Sequence, residues 1–332
     1  MTSSLSAADD PVLMLAAQAK VNLALAVTGV RPDGYHELCS VFLRLELADT
    51  LSVSALPGTY VADVLTIDGD ADCPVADNLV LRATTAFRDQ AAGRGVAVPL
   101  MRIELTKRIP MAAGLAGGST DAAAMFRLLA ARQPGILPRS QLASLAAAVG
   151  SDVPFFLDGA GAALVSGVGE SVEPLPSPID PVGVLLVRPP VGASTPAVFR
   201  AWDAMHTSMD LASDEATMDV VDDLARLLRA GASADSLSDR ATDLRAANAL
   251  WLPAVALTPG LRALRESLEQ LLGRPILLTG SGSTLFALYP CPESADDDAS
   301  RLRSEASYAA VRIMATRSTG PHPSVITSRR DP

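Results

Sequence analysis

Lysine is nearly missing from this chain of 332 residues: of 27 basic residues only Lys20 and Lys107 are lysine, and the rest are arginine. A general preference for arginine explains the scarcity but not the two positions that escape it. Lysine carries a compact point charge on a flexible stem and arginine a broad planar fork, so a site that must set one ammonium beside a phosphate can exclude arginine. Two chance survivors on the surface are the plain alternative. Cysteine is also scarce. Cys39, Cys73 and Cys291 are odd in number and far apart, which excludes a disulfide frame or a zinc cluster and indicates reduced thiols. No apolar run approaches the length of a membrane span, and the first residues lack a basic stretch followed by an apolar core. The expectation is a cytoplasmic protein with no membrane partner. A net charge of −10 without a basic stripe argues against nucleic acid as a partner. An anionic ligand would therefore have to be gripped locally, by main-chain amides and the two lysines.

The Gly-Lys pair that ends a P-loop is absent as well. What stands instead is Lys107 to Phe126, KRIPMAAGLAGGSTDAAAMF. Before it, Met101 to Thr106 sets Ile103 and Leu105 against Arg102 and Glu104, the period of a half-buried strand. That alternation suits a sheet with one covered face rather than the continuous apolar strand of a dinucleotide fold. After it, Ala122, Ala123, Met125, Phe126, Leu128 and Leu129 recur at helical spacing. A glycine-rich loop delivered onto a helix N-terminus offers unpaired N–H groups and a positive dipole end to a di- or triphosphate. Gly114, Gly117 and Gly118 permit close approach, and Ser119 and Thr120 add hydroxyls for capping, phosphate or metal. Small residues that merely allow tight packing are the alternative.

Two further segments carry polar groups in suggestive places. In AQAKVNLALAVTG from Ala17, Val21, Leu23, Leu25 and Val27 alternate with Lys20, Asn22, Ala24 and Ala26, so Lys20 and Asn22 share a face that small alanines continue. Pro32-Asp33-Gly34 then signals a turn that presents Tyr35 and His36. From Ala146, AAAVGSDVPFFLD places a helix stop at Gly150, with Ser151 or Asp152 as the expected cap of a short apolar segment. A carboxylate between a helix end and an apolar run is suited to act as a general base.

In chain order, AKVNLAL, PDGYHEL, PMAAGLAGGSTDAA, GSDVPFF and the late loop LLTGSGSTLFAL resemble the GHMP small-molecule kinases, over about Ala17 to Tyr289. Alternating strands mixed with helices indicate an α+β protein. The resemblance implies a two-lobed GHMP kinase fold, with a ribosomal-protein-S5-like N-terminal domain and a ferredoxin-like C-terminal domain. The ATP-binding unit is expected at residues 12–176 and the C-terminal unit at 182–317, divided near the prolines of LPSPIDP, with disordered tails at 1–11 and 318–332. Leucines at helical spacing predict helices over 217–230 and 260–273.

The resemblance also implies ATP and Mg2+ as cofactors, with the metal ligands unknown, and a monomer or weak dimer. It points to the branch whose substrate is a cytidine diphosphate-linked methylerythritol, phosphorylated on its 2-hydroxyl. Asp152 would take the hydroxyl proton and Lys20 would stabilise the transferring charge. The loop of Pro110, Met111, Ala112, Ala113, Gly114, Leu115, Ala116, Gly117, Gly118, Ser119 and Thr120 would wrap the ATP phosphates, with Asn78 and Lys107 toward the nucleoside. Asn22 would orient substrate, Tyr35 and Phe199 would sandwich the cytosine, His36 would bind its polar edge, and Thr195 lies nearby. Family members often carry glycine at positions 112, 113 and 116; because alanine is costly at positive φ, the three alanines are expected at negative φ. A kinase for homoserine or a mevalonate-type acid is the nearest rival, and a nucleotide-binding regulator without catalysis the more distant one.

Overall fold

The structure, a computed structural model, describes residues 10–69, 73–206 and 212–328. Most of the expected tail 1–11, and residues 329–332 of the other, lie outside the described residues. The chain opens with a long hairpin, β1 (Val12–Val30) and β2 (His36–Ala55), turned through Arg31 to Tyr35. There follow β3 (Val64–Asp68), α1 (Leu79–Ala92), β4 (Met101–Thr106), α2 (Gly117–Arg132), α3 (Arg139–Val149), α4 (Val153–Asp158), β5 (Ala162–Gly167) and β6 (Ser171–Leu175). One sheet runs β1-β2-β4-β3, with the late strand Ile326–Ser328 added outside β1, and β5 pairs with the first half of β2 and carries β6. Its pairs are antiparallel except β3 with β4. The expected alternation of β4 holds: Ile103 and Leu105 are buried against α1 and α2 while Glu104 is exposed.

The second part contains β7 (Gly183–Arg188), α5 (Thr195–His206), α6 (Ala212–Arg229), α7 (Ala234–Asp239), α8 (Ala241–Leu244), α9 (Trp251–Leu257), α10 (Leu261–Leu272), β8 (Leu277–Leu278), β9 (Leu285–Tyr289), α11 (Pro292–Ser304), β10 (Arg312–Arg317) and β11 (Ile326–Ser328). A four-stranded sheet, β10-β7-β9-β8, is backed by α10 and α11. Gly273 ends α10 in the left-handed conformation, as its position after the leucine repeat predicts. The face of the first sheet turned away from α1 and α2 is also covered. Val21, Leu23, Val41 and Leu43 share a core with Val221 and Leu224 of α6 and with Phe286, so the two halves are joined by apolar packing.

Residues 318–328 are not the disordered tail that their polar, proline-bearing composition suggests. Ser318 exchanges hydrogen bonds with Val182, Thr319 N–H donates to Arg44 O, and His322 N–H donates to Gly159 O. Arg127 donates to Pro323 O, and β11 extends the first sheet along β1. Main-chain pairing does this work, and composition does not register it. At the other end Asp10 is likewise tied down, accepting from Ala55 N–H and pairing with Arg132.

Candidate active site

The floor of the site is built by irregularity in β1. Its register against β2 shifts between Gln18 and Lys20 and again between Asn22 and Ala24. The first shift leaves Lys20 and Asn22 converging, with Lys20 Nζ donating to Asn22 Oδ1 at 2.6 Å. The second overturns the expected continuation of that face by small alanines: Ala24 and Ala26 are packed away, and Leu25 lines the cavity instead. Asn22 is fixed on every side, since Nδ2 donates to Ser40 Oγ and its N–H donates to Thr279 Oγ1. Lys20 is 4% exposed, lies over the Phe42 ring at 4.5 Å, and faces Asp152 Oδ2 at 3.5 Å. Burial pulls its ammonium below the ordinary lysine value, and the Asp152 carboxylate works against that pull.

Over this floor the loop from Pro110 to Ser119 lines a cavity of about 330 Å³ with every residue except Leu115. Leu115 is buried, and its carbonyl accepts from Lys20 N–H, which ties the loop to β1. Gly114, at φ +72°, passes so close to the late glycine loop that a Cβ there would lie 2.5 Å from Thr279 O. The expectation of negative φ is wrong for Ala112 and Ala116, which adopt +49° and +57°, and holds for Ala113. The cause is the tight wrapping of the loop onto α2: Ala116 occupies the N-cap position in the left-handed region and offers no side-chain cap. The first turn of α2 has no acidic residue, and Gly117, Gly118 and Ser119 line the cavity, which sets the positive end of the helix dipole at its wall.

Thr120, Asn78 and Lys107 do not line this cavity. Thr120 is buried within α2. Asn78 caps α1 by accepting from Val80 N–H, and its neighbour Leu79 reaches the cavity wall. Lys107 is fully buried between Asp49 and Asp121, pairing with both. Asp49 also accepts the N–H groups of Arg108 and Ile109. A Cβ on Gly117 would lie 3.3 Å from Lys107 Nζ, so the ammonium supports the loop from beneath. Burial lowers the Lys107 pKa, but Asp121 and Asp49 outweigh it and hold the group above its ordinary value. Burial pushes Asp121 up to about 8, with Lys107 opposing and Asp49 reinforcing. Neither lysine is a surface survivor.

Gly150 ends α3 as expected, and Asp152 stands at the N-cap of α4. Neither the Asp152 side chain nor any other makes the expected capping hydrogen bond; the carboxylate turns to Lys20. Behind α4 lies Arg44, buried against Phe155 and Phe156 and donating to the carbonyls of Ala160 and Phe155. Burial, then Arg127, lowers its pKa to about 9.

Asp152, Leu38, Thr195 and Phe199 also belong to a second cavity of about 470 Å³, so the two spaces meet at Asp152. Tyr35 lines its mouth, 62% exposed. His36 is stacked on Phe199 at 4.6 Å and meets Trp202 edge-on at 5.4 Å. The imidazole lies offset over one face of Phe199, so a base set beside it on that face would meet the edge of His36. Thr195 starts α5 and its hydroxyl pairs with Ser281 Oγ. Phe42, Ser40, Asp203 and Trp202 escaped the sequence reading, because nothing in local pattern marks residues that touch the site through cross-strand or cross-lobe packing. Thr279 had a visible signal, its place at the head of the late glycine loop.

Residues 78–160 match the model of the GHMP kinases N terminal domain, and residues 219–307 that of the GHMP kinases C terminal region. The chain is 37% identical over 298 residues to 4-diphosphocytidyl-2-C-methyl-D-erythritol kinase of Moorella thermoacetica, covering 88% of this chain and 95% of that protein. It is 39% identical over 290 residues to the enzyme of the same name from Gluconacetobacter diazotrophicus, covering 85% and 88%. The chain belongs to the 4-diphosphocytidyl-2-C-methyl-D-erythritol kinase family. A solved structure of 4-(cytidine 5'-diphospho)-2C-methyl-D-erythritol kinase is similar with a TM-score of 0.67 at 33% identity, over 92% of this chain and all of that one. Homoserine kinase from Cytophaga hutchinsonii matches with a TM-score of 0.71 over 98% and 99% of the two chains, but at 17% identity that likeness shows the GHMP fold alone. This member of the family is a small-molecule kinase with the two-lobed α+β GHMP architecture. No helix among its described residues is long and apolar enough to cross a membrane.

Proposed function

We propose that this kinase transfers the γ-phosphoryl group of ATP to the 2-hydroxyl of 4-diphosphocytidyl-2-C-methyl-D-erythritol, a step of the non-mevalonate (MEP) route to isoprenoid precursors. The observation that carries the reading is the position of Asp152, 3.5 Å from Lys20 where a loop-lined cavity meets an aromatic one. The triphosphate lies along the Pro110–Ser119 loop and the α2 amides, and the cytidine lies among Tyr35, His36 and Phe199. The hydroxyl between them gives its proton to Asp152 as its oxygen bonds to the γ-phosphorus, and the bond to the β-phosphate oxygen breaks to release ADP. Lys20 offsets the charge that gathers on the transferring group, and Asn22 fixes the ammonium. Phosphoryl transfer is driven by such positioning and electrostatics. Residues 12–176 form the ATP-binding domain and 182–317 the second domain.

Magnesium fits this site as a phosphate-bound ion. Mg2+ takes one or two protein oxygens beside those of a nucleotide. Ser119 would hold it, bringing a hydroxyl to the cavity, and the described residues contain no group of three His, Cys, Asp or Glu that could hold a metal unaided. When bound, the ion supplies neutralisation of β- and γ-phosphate charge.

ADP release measured with the cytidyl substrate, homoserine and mevalonate as acceptors tests the reading: turnover is expected with the first alone, and turnover with either of the others instead would overturn it. Tyr35, His36 and Phe199 favour a flat base over an aliphatic acid, which has no ring to stack.

A further inference from the structure

The aromatic cavity contains a polar pairing that phosphoryl transfer does not use. His36 Nε2 lies 2.6 Å from Asp203 Oδ1, and the His36 side chain is only 8% exposed. Phe199 covers one face of the imidazole and Trp202 meets it edge-on. Phe199, Trp202 and Asp203 all come from α5, so a single helix sets the plane of this ring and the partner of one of its nitrogens. Trp202 is itself buried, with His206 stacked on it at 3.8 Å. An ionised carboxylate can only accept hydrogen bonds, so the contact places a proton on Nε2. In a neutral imidazole the lone pair then resides on Nδ1.

We infer that Asp203 is a specificity-determining positioning residue: it holds His36 in the Nε2–H tautomer, so that Nδ1 presents an acceptor that selects a pyrimidine carrying an exocyclic amino group over one carrying a carbonyl. The inference rests on the cytidine reading above. Cytosine offers an N–H at its 4-position where uracil offers lone pairs, so an Nδ1 lone pair accepts from the first and repels the second. Without the carboxylate the opposite tautomer becomes accessible, and an Nδ1–H can donate to the uracil carbonyl. Loss of Asp203 therefore erodes discrimination more than it erodes catalysis. A site built to hydrogen-bond one group rejects the analogue lacking it far more strongly than apolar fit alone can.

The test is steady-state kinetics of the wild type, Asp203→Asn and Asp203→Glu with cytidine- and uridine-diphosphate-linked methylerythritol, alongside 15N spectra of the imidazoles. The chain has three histidines, so His206 and His322 serve as internal references. Asp203→Asn is expected to raise KM for the cytidine substrate about tenfold with kcat within about threefold, the loss of one charge-assisted hydrogen bond. It should also shrink the cytidine-to-uridine ratio of kcat/KM by about tenfold and shift His36 from the Nε2–H form toward a mixture. Asp203→Glu should recover part of both effects. Unchanged discrimination in Asp203→Asn, or a His36 that keeps the Nε2–H form without the carboxylate, overturns the assignment. A wild type that treats the two substrates alike overturns the cytidine reading itself, whereas a discriminating wild type with an equally discriminating Asp203→Asn leaves that reading standing and removes only the role of Asp203.

Discussion

The Lys20 ammonium and the Asp152 carboxylate face each other across 3.5 Å, one almost wholly buried and the other with 29% of its side chain open to solvent. Burial costs the ammonium hydration that a single half-open carboxylate only partly replaces. The arrangement is thus held for something other than stability.

Lys20→Met separates the two purposes. Its apolar side chain removes the costly buried charge, and the Asp152 carboxylate it leaves is 29% exposed and open to water, so the melting temperature should change little. Turnover should fall by about 10²- to 10³-fold, the usual loss when one transition-state charge partner is removed. Calorimetry and kcat measured on the same sample check both halves.

The triad beneath the loop makes stability depend on pH. Burial raises Asp121 from 3.8 to about 8, so between those values the folded protein retains a proton that the unfolded chain has released. That contribution is whole below pH about 4 and declines as pH rises toward about 8. Lys107, held above its ordinary value, stays charged throughout this window. Urea midpoints at about pH 5 and about pH 8 should differ less in Asp121→Asn than in the wild type.

Ala116, at φ +57°, bears a strain that glycine would not, on the order of 1 kcal/mol. Ala116→Gly should accordingly raise the melting temperature by roughly 2 °C. Ala112→Gly should act likewise, and a fall in both would show that the gain in unfolded-state entropy outweighs the relief.

Removing residues 318–332 should destabilise the protein measurably. Truncation deletes the bonds from Ser318 to Val182, Thr319 to Arg44, His322 to Gly159 and Pro323 to Arg127, each worth about 1 kcal/mol. An unchanged denaturant midpoint would mean that the segment contributes nothing to holding β1 and α4.

Local pattern made much of this legible. The alternation of β4, the glycine stop of α3 and the leucine spacing of α10 each depend on neighbours a few residues away, and each appears where the pattern puts it. The scarcity of lysine pointed to two buried ammoniums, but not to their difference: one faces a cavity and the other is locked between carboxylates. That distinction depends on Asp49, which is brought to Lys107 only by the pairing of β2 with β4. Bulges in β1 and the left-handed alanines were invisible for the same reason, since tertiary contacts impose them against local preference. Asp203 escaped notice because only the packing of α5 against the start of β2 gives it a partner.

The most direct test of the central claim measures ATP affinity and single-turnover phosphoryl transfer in Asp152→Asn. The amide keeps the shape of the carboxylate but cannot take the hydroxyl proton, so ATP should bind within about threefold of wild type while transfer slows by about 10³-fold or more. A variant that transfers phosphate at near the wild-type rate would contradict the assignment of Asp152 as the base.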